Sequence, residues 1–585
     1  MEEARTPRLV IVALLLCISM CMAAEDFLFA NERSAYTIVL QSDASTSEKT
    51  AAAELQQYLR QISGATLPIT EIGSFNGSPD SISHRIYVGW YESCGSPRPE
   101  AFDEGYTYRT SGSDLHIFGG SERGTMYGVF AFLEQELGVR WYTSSYTHVP
   151  QLKQYALPPL DYSEQPSLRR RLDFCYDALR HHDWMAHNRL NSLHRLVQNK
   201  YGTLSAIWGF HTFQTLMPPD TYFDTHPEYF SLNKGRRNDK AQLCLSNNDM
   251  RHELTTNLLA VIRDNPGYWC YDVSQNDNNL DCECEECMKL VERYGGRSGA
   301  MLWFVNQVAT EVAREFPDVF IGTFAYHTTR QAPRTGTITP ADNVVIRLCD
   351  IECCMAHPMA ECPENAAFLD DLNSWLRLTP IVYIWDYANS FYHYLLPFPN
   401  YRAMAANYRL FAEAGAIGVM EEGAHDAPWS EFSELKQWVI GRLLWNPYQD
   451  TDSLASLFIS DYYAAAAPFV QHYYDLCQQQ AQAHHLTLQV KADAPIYSDD
   501  FVASASRLME EALVAASTDE QALRRTKRVA AQVYYLKLRH NPQQALADGT
   551  VRKIRDIIAA DSTIVRENGY TLQTVLDELG VNNRE

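Results

Sequence analysis

Tyr268 to Cys287 reads YWCYDVSQNDNNLDCECEEC, and the change of character half-way along it decides the fold. Gly267 to Ser274 alternates and carries aromatic, valine and cysteine side chains, as a half-buried strand does. The run Gln275, Asn276, Asp277, Asn278, Asn279 that follows can only be a turn or loop. Parallel barrels keep their chemistry at such junctions. Asp277 is therefore the first catalytic candidate, with Gln275 and Asn276 beside it as candidate substrate contacts.

Outward from this junction, residues 168–447 repeat the pattern of strand and then helix. Strands are expected at Arg170 to Cys175, Asn191 to Val197, Ser205 to Phe210, Tyr268 to Ser274, Val319 to Tyr326, Val344 to Asp350, Ile381 to Asp386 and Ile417 to Glu421. Helical periodicity lies between most of them, as in Ala300 to Phe316, Asn365 to Leu376, Arg402 to Ala414 and Glu431 to Leu444. Eight such units suit an α/β fold closed as a (β/α)8 TIM barrel over 165–450. An open doubly wound sheet is the alternative, disfavoured because no G-x-G-x-x-G opens any helix. Residues 27–160 mix short strands with two helices and form a small α/β domain. Residues 451–585 read as amphipathic helices, a C-terminal bundle with no sustained heptad.

The 585 residues are too many for one ordinary core, and the net charge of −23 would repel phosphate backbones and anionic lipid heads. Nucleic acid is excluded as a partner on that ground. Residues 9–23, LVIVALLLCISMCMA, are too short to span a membrane, follow Arg5 and Arg8, and run into the small pair Ala23 and Ala24. They read as an export signal over 1–24, which makes the chain secreted, periplasmic or held at the cell surface. Lipid attachment at Cys21 is the alternative to simple cleavage near Ala24.

If the barrel closes, the residues past its strand ends share one mouth: His211, Asp277, Tyr326, His327, Asp350, Glu352, Trp385, Asp386, Tyr387, Glu421 and Glu422. Paired carboxylates in an aromatic surround suit glycosidic cleavage, one protonating the leaving oxygen and one stabilising the sugar cation. Tyr326, Trp385 and Tyr387 would stack on sugar faces, and His211 is a further substrate contact or a structural histidine. Asp386, inside YIWDYANSFYHY, must find a partner or ligand. Glu421 and Glu422 point to opposite faces of an extended strand, so one of them enters the barrel. Cys282, Cys284 and Cys287 either share a structural zinc with Cys244 or Cys270 or oxidise to disulfides. In both cases they pin the loop behind Asp277. No other cofactor is expected.

The stretches HPEYFSL from His226, QLCLSN, VSQND, CECEEC, FVNQVA, RLCDIECC, IWDY, PFPN, GVMEEG and LLWNP resemble the domain catalogued as domain of unknown function 4838, assigned to glycoside hydrolase family 163. The preceding domain, with AAAELQQYLRQISGATLPI and RGTMYGVFAFLEQELGVRWY, resembles the one before the barrels of α-glucuronidases and β-hexosaminidases. The resemblance implies a retaining endo-β-N-acetylglucosaminidase that cuts the chitobiose core of N-glycans or another N-acetylglucosamine-containing glycan. It carries the family's acidic positions onto Asp277, Asp386 and Glu421, and Glu422 stands where relatives carry glutamine. A substrate-assisted route follows, with Asp277 steadying an oxazolinium ring and Glu421 protonating the leaving oxygen. A carboxylate nucleophile about 5 Å from the acid is the competing route. An exo-acting β-hexosaminidase, a uronidase-like enzyme and a non-catalytic glycan-binding protein are the alternative functions.

Overall fold

The computed structural model describes residues 27–72, 84–191, 200–202 and 207–581. The expected export signal and the strand expected at Asn191 to Val197, beyond Asn191 itself, lie outside them. The chain divides into two compact units.

The first unit is built on a six-stranded mixed sheet, in the order Asp161–Glu164, Tyr106–Ser111, Asp114–Gly119, Arg85–Val88, Thr37–Gln41, Ile69–Ile72. Two helices pack with it. Thr46–Ser63 starts in a capping box, with Ser45 accepting from the Glu48 N–H while the Glu48 carboxylate accepts from the Ser45 N–H. Gly64 ends it in the left-handed region at φ 80°, where a side chain would strain the backbone. Gly124–Gln135 is almost wholly buried.

The second unit holds a seven-stranded sheet whose pairings are all parallel. Its order is Arg170–Phe174, Gly418–Glu422, Val382–Tyr387, Val344–Cys349, Phe320–Ala325, Cys270–Asp272, Ile207–Trp208. The first and last expected strands are therefore neighbours, and the others follow in sequence around the curl. The free edge of Arg170–Phe174 is met by Asn191, whose N–H donates to the Arg171 carbonyl at 2.7 Å. The strands are more buried than an alternating pattern would make them: Val344–Cys349 and Val382–Tyr387 are covered on both faces, as βαβ crossovers require.

Crossover helices run Arg297–Ala313, Ala366–Leu378, Tyr401–Ala414 and Ser433–Trp445. The longer C-terminal helices, Thr451–Tyr462, Ala467–Ala483, Asp499–Ala515 and Glu520–His540, belong to the same unit as the sheet. One apolar core runs from the strands into these helices, from Ile346 and Ile384 through Trp438 and Phe458 to Val529 and Leu536. Among the described residues no helix is long and apolar enough to cross a membrane.

Candidate active site

A cavity of about 320 Å³ opens at the C-terminal ends of the parallel strands. Phe174, Phe210, Phe324 and Trp385 form an edge-to-face cluster there. Trp385 meets Phe210 at 5.3 Å and Phe324 at 5.2 Å between ring centres, and Phe174 meets Phe210 at 5.6 Å. Beneath them Arg347 lies 4.3 Å from the Phe324 ring centre and is ion-paired with Asp272, so its charge is spent inside the sheet. Asp277, Tyr326, Tyr387, His211, Glu422, His425 and Glu567 complete the lining.

Register separates the two adjacent glutamates. Glu421 pairs with Asp173 on one side and Asp386 on the other, while Glu422 pairs with Phe174 and Tyr387. Phe174, Tyr387 and Glu422 line the cavity. Glu421 is fully buried and accepts a 2.6 Å hydrogen bond from Tyr408, on the crossover helix Tyr401–Ala414. Asp173, Asp350, Asp386 and Glu421 are thus buried together on the face of the sheet turned away from the cavity. Burial pushes Asp173 up to about 8, and burial with mutual repulsion holds Asp350 and Glu421 well above the usual carboxylate range. Burial thus favours the protonated form of each. Asp386 is raised by the same burial and accepts at 2.8 Å from the N–H of Tyr387.

Glu422 has a different environment. Burial pushes its carboxyl up to about 7, against the stabilising Trp385 Nε1–H at 2.8 Å and the positive field of His425. His425 Nε2 lies 3.8 Å from Glu422 and 3.5 Å from Glu567. Burial disfavours its charged form, but these two carboxylates outweigh that and raise its pKa. Asp277 is exposed at the rim and accepts a 3.0 Å hydrogen bond from the Tyr326 hydroxyl.

The loop that carries Asp277 is braced from behind. Gln275 donates to Thr329 Oγ1 at 2.8 Å and borders a separate cavity of about 40 Å³. Asn276 donates to the Ala241 carbonyl at 2.8 Å, and Gln242 spans the loop through the carbonyls of Asn276 and Asn278. Gln275 and Asn276 therefore hold the loop rather than face the main cavity. His211 does face it, at a strained φ of 54°, with Nδ1 2.7 Å from the Gln275 carbonyl. Two residues after Gln242, Cys244 joins Cys282, Cys284 and Cys287 with all four sulfurs within 4.8 Å of one another. Cys244 lies 3.7 Å from Cys284 and 3.8 Å from Cys287.

Of the expected site residues, the structure brings Asp277, Glu422, His211, Tyr326, Trp385 and Tyr387 to one cavity and sets Glu421, Asp386, Gln275 and Asn276 behind it. The sequence reading missed Phe174, Phe210, Phe391, His425 and Glu567. His425 was within reach of it, three residues past Glu422 in the same loop. Glu567 left no local signal, because it arrives from the segment between the helices Thr550–Ala560 and Leu572–Glu578.

The family described as domain of unknown function, DUF4838, matches residues 141–475, more than half of the 585. The chain belongs to the DUF4838 family. Residues 28–132 match the N-terminus of glycosyl hydrolase family 67. No curated protein matches the chain. Among solved structures, the family GH115 4-O-methyl-α-glucuronidase BtGH115A, with specificity for decorated arabinogalactans, aligns with a TM-score of 0.58 at 13% identity, over 93% of this chain and 78% of that one. The Flavobacterium johnsoniae chitobiase FjGH20 aligns at 0.46 and 11% identity, over 92% and 94%. At these identities the first likeness is one of fold alone, and the second is too weak to carry an argument.

Proposed function

We propose that this DUF4838 chain is a glycoside hydrolase of the family 163 type: an endo-β-N-acetylglucosaminidase acting on the chitobiose core of N-glycans, with its sheet closed as an eight-stranded barrel. One observation carries the reading. Glu422, a carboxyl that keeps its proton to about pH 7, faces the same aromatic-lined cavity as the exposed carboxylate Asp277. Two carboxyl groups facing one cavity, one of them able to give a proton, are what glycoside cleavage requires.

In this mechanism Glu422 gives its proton to the glycosidic oxygen as that bond breaks. The carbonyl oxygen of the substrate's own 2-acetamido group closes on the anomeric carbon, at the high effective concentration of a tethered nucleophile. Asp277, oriented by Tyr326, offsets the positive charge of the oxazolinium ring. Water then opens the ring, its proton passing to Glu422. Glu422 takes the acid role that the resemblance gave to Glu421, because Glu421 sits on the helix side of the sheet without access to the cavity. The cavity lining, drawn from the described residues, contains no lysine or arginine. A uronic acid would find there no guanidinium or ammonium partner, and His425 already faces Glu422 and Glu567, which favours a neutral sugar.

The test is incubation with defined N-glycoproteins and chitobiose-type fluorogenic substrates, followed by mass analysis. The reading expects one N-acetylglucosamine left on the protein. Release of single terminal sugars would replace it with an exo-acting hexosaminidase, and glycan binding without any release would replace it with a lectin-like role. The thiols of Cys244, Cys282, Cys284 and Cys287 are proposed to hold a structural zinc, since their 3.7 and 3.8 Å contacts match the edges of a sulfur tetrahedron with bonds of about 2.3 Å.

A further inference from the structure

Outside the cavity a second cluster of metal-ligating groups has formed. Cys354, His357 and Cys362 lie on the long loop that leaves the strand Val344–Cys349, in the spacing C-x-x-H-x-x-x-x-C. His485 comes from the other side, just past the helix Ala467–Ala483. One ligand atom from each of the four lies within 4.8 Å of all the others. The two segments are also tied by backbone, the Met355 N–H donating to the Leu486 carbonyl at 2.7 Å.

The separations test whether an ion fits. Tetrahedral zinc with sulfur at about 2.3 Å and nitrogen at about 2.0 Å has ligand-to-ligand edges of roughly 3.3–3.8 Å. The Cys354 sulfur is 3.4 Å from His357 Nδ1 and 3.3 Å from His485 Nδ1, and the Cys362 sulfur is 3.7 Å from His485 Nδ1. The outer contact of His357 suits a metal-bound histidine as well. His357 Nε2 is 3.4 Å from the Gln482 carbonyl, the kind of acceptor that fixes which nitrogen faces the ion. Both cysteines are buried, while the side chain of His485 is 49% exposed and leaves a path for entry.

We propose that Cys354, His357, Cys362 and His485 form a second structural zinc site, of Cys2His2 composition, in which both thiols bind as thiolates and release their protons. It staples the loop after the sixth expected strand to the C-terminal helices. That loop begins with Ile351, which lines the main cavity. Binding the ion therefore fixes one wall of the candidate active site from outside. The proposal does not depend on which sugar the cavity takes.

Metal analysis of the purified full chain tests it. The wild type should lose one zinc equivalent per chain in Cys354→Ser/Cys362→Ser and in His485→Asn, while Cys282→Ser/Cys287→Ser leaves this site filled. Unchanged zinc content in both of the first two variants would overturn the proposal. X-ray absorption at the zinc edge of the wild type gives an answer even if those variants fail to fold. A mixed sulfur and imidazole shell is expected, and a sulfur-only shell or an absence of zinc would end the proposal. So would a Cys354–Cys362 disulfide found by non-reducing peptide mapping of the wild type.

Discussion

Two adjacent glutamates have opposite fates because a strand alternates its faces. Glu422 enters an aromatic cavity beside His425, and Glu421 enters a dry layer against Tyr408. Replacing Glu422 by Gln keeps the shape and removes the transferable proton, so kcat/KM should fall by about 10²–10⁴-fold with thermal unfolding unchanged. Sign matters for the pH profile. An acid with a pKa of about 7 is active when protonated, so wild-type kcat/KM should decline above pH 7, and the residual activity of Glu422→Gln should lack that limb. Glu421→Gln makes the opposite forecast. Burial favours the protonated form of Glu421, of which an amide is a near-isostere, so most activity should survive. Rates measured for the two variants side by side decide between the assignments.

Strands are brought together here by what their neighbours lack as much as by what they carry. Gly418 pairs with Arg170, and a Cβ on it would sit 2.1 Å from the Arg170 carbonyl oxygen and 2.3 Å from the Arg170 Cβ. Gly418→Ala must push two core strands apart, and chemical denaturation should record a loss of at least about 1–3 kcal/mol. Three register positions further on, where it pairs with Glu421, Asp173 is buried with its pKa raised from the usual range to about 8. A raised pKa means that the folded chain holds a proton the unfolded chain releases. That stabilisation is complete below about pH 4 and is lost as pH climbs towards 8, with a slope of up to about 1.4 kcal/mol per pH unit for this group. Denaturation of Asp173→Asn across the same range should show a flatter dependence.

Across the whole chain, the candidate site depends on segments far from the sheet. Glu567 reaches the cavity from beyond the long C-terminal helices, and the thiol cluster sits behind the Asp277 loop. If those thiols hold zinc, Cys282→Ser/Cys287→Ser should lose one metal equivalent, lower the melting temperature by at least about 5 °C and lower kcat by loosening Asp277. Calorimetry, metal analysis and steady-state rates check the three outcomes together.

The strand-and-helix alternation, the strands expected at Val344 to Asp350 and Ile381 to Asp386 and found at Val344–Cys349 and Val382–Tyr387, and the loop before Asp277 could all be read from residue order, since each depends on neighbours within a few positions. So could the small set of strand-end residues from which the cavity draws Asp277 and Glu422. Which of Glu421 and Glu422 faces the cavity could not. Spacing assigns them to opposite faces without saying which face is inside, and that was set by Tyr408 packing from a helix. Asp386 followed Glu421 for the same reason, being its register partner. The arrival of Glu567, and of His485 beside Cys354, depended on contacts between distant parts of the chain. Such contacts form only when the core closes, and no local pattern encodes them.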